Sequence, residues 1–111
     1  MNITVTKLKR CDLLKLEGRF DSNTAPELDQ ALNDSMDDGV FRIVLDMEDV
    51  EYFGSAAIRA LVNAYKSCRE TTGGDVRLAA VPDRIMHVLE LAGIAPLVEI
   101  YETATIAVGS F

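Results

Sequence analysis

The chain has 111 residues, 49% of them apolar, 26% charged and 6% aromatic, with a formal net charge of −7. That apolar share excludes a disordered chain, and the length suits one core, so a single domain over residues 1–111 is expected. Eleven basic against eighteen acidic side chains speak against a nucleic-acid surface, which needs clustered Lys and Arg.

Residues 1–7 alternate polar and apolar side chains, unlike the basic lead and apolar block of a signal peptide. No stretch approaches the roughly 18 apolar residues of a membrane span, so a cytoplasmic protein without membrane insertion is expected. Residues 4–8 and 13–16, separated by Lys9, Arg10 and Asp12, predict an antiparallel strand pair closed by Gly18. After the polar loop Asp21-Ser22-Asn23, Thr24 and Glu27 have the spacing of a capping box, and Pro26 suits a first helical turn. Leu28, Ala31, Leu32 and Met36 form that helix's apolar stripe, and Gly39 ends it. Residues 41–46 are an apolar run typical of a central strand. Glu48, Asp49 and Glu51 then make residues 46–55 read as an acidic loop.

From Ser55 the apolar residues Ile58, Leu61, Val62, Tyr65 and Cys68 fall at helical spacing, up to Gly73-Gly74. Residues 76–80 predict a strand. Pro82 opens a helix bearing Ile85, Met86, Leu89 and Ala92, which Gly93 stops. Residues 97–101 predict a last strand and 102–108 a short terminal helix. The order β-β-α-β-α-β-α-β-α implies an α/β domain, with a mixed sheet of about five strands and about four helices. Binding in such sheets gathers beyond the carboxyl ends of the strands, which singles out residues 46–55.

Little in this chain suggests an enzyme. Cys11 and Cys68 lack any metal-ligand spacing and read as buried thiols; the one histidine, His87, reads as a surface residue, so no cofactor or metal is expected. Gly54-Ser55 is not a hydrolase elbow, because Ala57 takes the place of its last glycine. An aspartyl-phosphate receiver centred on Asp46 would need an acidic pair after an early strand and a lysine after a late one, and Gly18-Arg19-Phe20 and Ile100-Tyr101 supply neither. The carboxylates of Asp46, Glu48, Asp49 and Glu51 suit a solvated loop, a basic partner face or a magnesium ion. Ser55 stands at a helix start, near free backbone N–H groups and the positive end of the dipole. The same position suits a simple capping serine.

The stretch Val44-Leu45-Asp46, followed by Tyr52-Phe53-Gly54-Ser55-Ala56-Ala57-Ile58-Arg59-Ala60-Leu61, resembles the signature of STAS domains, the anti-sigma-factor antagonists. Leu16-Glu17-Gly18-Arg19-Phe20-Asp21 is similar to that family's second strand and turn, residues 81–94 to its third helix, and residues 100–104 to its last strand-to-helix join. The resemblance implies a single STAS-like domain that docks onto an anti-sigma factor serine kinase. That kinase phosphorylates the serine heading the second helix, here Ser55, and a PP2C-type phosphatase restores it. The implied partner surface comprises Asp21, Ser22 and Asn23 in one loop with Gly54, Ala56, Ala57 and Arg59 around the serine. Two positions depart from the pattern: Gly54 replaces a frequent Asp, and Ala57 replaces a glycine. The family also implies an alternative role, a non-phosphorylated subunit of a transport-ATPase or signalling scaffold.

Overall fold

In the computed structural model, which describes residues 1–111, β1 (Asn2–Lys7) pairs antiparallel with β2 (Asp12–Phe20). Then follow α1 (Ala25–Asp37), β3 (Arg42–Phe53), α2 (Ser55–Arg69), β4 (Asp75–Ala79), α3 (Asp83–Leu91), β5 (Ile100–Tyr101) and α4 (Ala104–Gly109). The five strands lie in sequence order, and every pair after the first is parallel. The predicted element order, the mixed sheet and the four helices are all present.

Strand alternation assigns the two faces. Leu14, Leu16, Ile43, Leu45, Val76 and Leu78 join Leu28, Leu32, Leu61, Ile85 and Leu89 in one core of 22 buried residues, which places α1, α2 and α3 on that face. Val44 and Ala79 point the other way and meet Ala107 of α4. α2 buries Ala57, Ala60, Leu61, Ala64 and Cys68, so small residues bring it close to the sheet, while Ile58, Val62 and Tyr65 flank the contact half-buried. Both cysteines are buried free thiols. Burial raises the Cys11 pKa and pushes that of Cys68 to about 11, so neither is a ready thiolate.

Several boundaries differ from the sequence reading. The second strand does not close at Gly18 but continues to Phe20. Gly18 sits at φ +93°, and a side chain there would press on the Met1 backbone at 3.0 Å. The presumed acidic loop is the second half of β3, still paired with β2 through Phe20↔Phe53. Register shifts between Lys15 and Glu17, and again at Gly18, each give β3 one extra residue. Those insertions place Met47, Val50 and Phe53 inside at intervals of three, hiding the period-two pattern. Asp12, read as part of a polar break, is buried in β2 and meets Lys7 Nζ at 2.6 Å.

Thr24 forms no capping bond to α1. Its hydroxyl instead donates to the Arg19 carbonyl at 2.8 Å and accepts the Asp21 N–H at 2.9 Å, binding the end of β2 to the helix start. The last strand is only two residues long. Leu97 N–H bonds the Ile94 carbonyl at 2.9 Å, which draws the chain into a turn before it reaches the sheet. At the far end of β4, Arg77 pairs with Asp75 and Glu99, donates to Ser110 and stacks on Phe111 at 4.1 Å, fastening α4 to its face of the sheet.

Candidate functional site

The parallel strands β2 and β3 end side by side at Phe20 and Phe53, whose buried rings lie 6.2 Å apart. The next backbone group, Gly54 N–H, bonds the Phe20 carbonyl at 2.9 Å, and α2 begins at once. Gly54 is itself the N-cap, in extended geometry, and no side chain caps the helix. Ser55 is therefore the first helical residue and is exposed. Its hydroxyl is not used as a cap, contrary to the capping-serine reading.

Tyr52 and Arg19 complete this surface, and sequence reasoning missed both. The Arg19 guanidinium stacks on the Tyr52 ring at 4.7 Å, and that ring covers Gly54. A Cβ added to Gly54 would lie 2.9 Å from Tyr52 Cε2, so glycine here makes room for an aromatic lid beside Ser55. The only trace in the sequence is Tyr52 two residues before Gly54, and reading that segment as a loop concealed it. Gly54→Asp should change stability by less than about 1 kcal/mol in chemical denaturation, because a better N-cap offsets a displaced exposed tyrosine.

Asp21, Ser22 and Asn23 occupy the adjoining loop. Asp21 Oδ1 accepts the N–H groups of Asn23 at 2.9 Å and Thr24 at 3.2 Å. These bonds, led by that from Asn23, hold the Asp21 carboxyl below its usual pKa. Asp21 thus shapes the loop, while Ser22 and Asn23 are exposed. Because its folded-state pKa is lowered, its contribution to stability is full above about pH 4 and is lost as acid titrates the folded carboxylate. Asp21→Asn should therefore be less stable than the native chain at pH 7, and the gap should close below pH 4 in urea melts followed against pH.

Ser22, Pro26 and Asp29 face Ala56, Arg59 and Asn63 across a shallow groove between α1 and α2. Three residues of the implied partner surface, Ser22, Ala56 and Arg59, are thereby brought together. Arg59 is exposed one turn beyond Ser55, at the i+4 position. Ala57 is not part of this surface: it is fully buried in the core, so no partner can touch it, and its methyl group packs α2 onto the sheet.

Two of the carboxylates on β3, Asp46 and Asp49, share one lysine. Lys15 lies 3.1 Å from Asp49 and 3.6 Å from Asp46, while Glu48 and Glu51 are exposed. Chiefly through its bond with Asp49, Lys15 has a raised pKa. No three His, Cys, Asp or Glu side chains converge as metal ligands would. No helix is long and apolar enough to cross a membrane.

The chain as a whole has known relatives. The chain is 28% identical over 102 residues to the anti-sigma-B factor antagonist of Staphylococcus aureus, covering 92% of this chain and 94% of that protein. A STAS domain protein of Planctomyces limnophilus superposes with a TM-score of 0.85 at 23% identity, over 97% of this chain and 96% of that one. The Bacillus cell fate determinant SpoIIAA, solved in its phosphorylated form, shares the fold at a TM-score of 0.77 and 14% identity, over 98% of both chains. The STAS domain family model matches residues 2–107. Matched by that model along nearly its whole length, the chain belongs to the STAS domain family.

Proposed function

We propose that this chain is an anti-sigma factor antagonist whose docking is switched at Ser55. The observation that carries the reading is the exposed Ser55 hydroxyl, free of any capping role, at the amino end of α2 and close to the α1–α2 groove. In the unmodified state the groove and the surface around Ser55 receive an anti-sigma factor serine kinase, which then releases its sigma factor. In the reverse direction, Ser55 Oγ attacks the γ-phosphorus of the kinase's ATP, a base on the kinase takes the hydroxyl proton, and ADP leaves. The resulting group carries about −1.5 to −2 charges at the centre of the contact. A PP2C-type phosphatase hydrolyses the phosphate and restores docking, all in the cytoplasm.

The local physics supports such a switch. The first turn of α2 offers free N–H groups, and Arg59 lies on the same face, so phosphate is tolerated by the folded chain. A docked protein would instead have to bury it. The Staphylococcus aureus relative named anti-sigma-B factor antagonist and the existence of phosphorylated SpoIIAA support the same reading.

Incubation with the cognate kinase and ATP should give one phosphoserine, located at Ser55 by mass spectrometry and absent from Ser55→Ala. Undiminished labelling of Ser55→Ala would remove the switch from this residue. No labelling, together with co-purification of a transport ATPase, would move the assignment to a scaffold subunit.

A further inference from the structure

The largest cavity lies at the pole opposite Ser55, where β2, β3 and β4 begin, and has a volume of about 390 Å³. It opens between the β1–β2 turn, the start of β3 and the loop joining α2 to β4. Lys9, Arg10, Arg42, Thr71 and Thr72 supply its polar lining, and no carboxylate does. This is a pronounced local reversal in a chain with eighteen acidic and eleven basic side chains.

Lys9, Arg10 and Arg42 take part in none of the ion pairs of the molecule. The nearby acids are already matched: Asp12 and Asp38 by Lys7, at 2.6 and 3.2 Å, and Asp75 by Arg77, at 3.0 Å. Arg42 is held in place: its Nε donates to the Gly73 carbonyl at 3.1 Å. Gly73, at φ +78°, lies so close that an added Cβ would be 2.9 Å from Arg42 Nη2. Gly74 draws the same loop against the end of α2, since a Cβ there would collide with the Cys68 carbonyl oxygen. The loop so fixed leaves Thr71 and Thr72 exposed at the rim. Arg10 Nη1 donates only to the Phe111 carbonyl, at 3.0 Å.

We infer that this cleft binds a phosphate-bearing small molecule, with the phosphate held by the Arg42 guanidinium, the Lys9 and Arg10 cations and the hydroxyls of Thr71 and Thr72. Its lining is rich in charged donors and lacks anionic acceptors, which favours an oxyanion over a cation or an amine. A positioned guanidinium matches phosphate geometry, and the volume falls within the range of small-molecule sites. The site shares no residue with the Ser55 surface, so it stands or falls without reference to the kinase.

Titration of the ¹⁵N-labelled chain with pyrophosphate, and separately with ATP, at constant ionic strength tests the assignment. Saturable shifts are expected at residues 9–11, 42 and 71–74, with the amides of Ser55 and Arg59 unmoved. Arg42→Gln should weaken binding about tenfold or more, since it removes a charge-assisted fork. If Arg42→Gln loses its folded spectrum, the double variant Lys9→Gln, Arg10→Gln at two exposed positions provides the same comparison. Tighter binding of ATP than of pyrophosphate assigns a nucleotide, and equal affinity assigns recognition of the phosphates alone; both outcomes support the phosphate site. Drift reproduced by sodium chloride, shifts centred on Ser55, or unchanged affinity in the substituted chains would overturn it.

Discussion

Ser55→Asp should bind the anti-sigma kinase about a hundredfold more weakly than the native chain while unfolding at the same or a slightly higher temperature. The two halves of this result come from the same charge in two environments. In the free chain a carboxylate at the first position of α2 faces the positive end of the helix, a favourable placement by about 0.3–1 kcal/mol. In the complex it must leave water, and an uncompensated buried charge costs several kcal/mol, of which about 2.7 kcal/mol already gives a hundredfold change. Calorimetric titration paired with thermal melts separates these effects. Unchanged affinity would refute the switch, and a joint fall in affinity and melting temperature would show damage to the fold instead. Ser55→Ala should retain binding, because its hydroxyl forms no cap that the helix would lose.

Phe53→Ala should lower the unfolding free energy by about 3–5 kcal/mol, with the slope of the denaturation curve unchanged. Phe53 is buried at the last position of β3, tilted against Phe20, and directly precedes the capping residue of α2. Removing the ring leaves a cavity beneath the turn that presents Ser55. It also loosens the Gly54 bond to the Phe20 carbonyl, so kinase affinity should fall as well. Phe53→Leu keeps most of the volume and should cost markedly less. Equal denaturation midpoints for Phe53→Ala and the native chain would show that the paired rings do not anchor this end of the sheet.

The amino-acid order alone determined the succession of elements, the mixed sheet and the serine at the head of the second helix. Those features are written in local periodicity, in the helix-stopping glycines at 39, 73, 74 and 93, and in motif spacing, all of which act over a few residues. The second half of β3 was not legible, because two extra residues shift its buried side chains out of alternation and only pairing with β2 holds it as a strand. Equally hidden were the burial of Ala57, the Tyr52 lid over Gly54 and the turn-building role of Asp21. Each depends on which neighbour lies across a gap from a distant part of the chain. The cleft of Lys9, Arg10, Arg42, Thr71 and Thr72 is the extreme case: three segments far apart in sequence meet there only because parallel strands begin at one edge of the sheet.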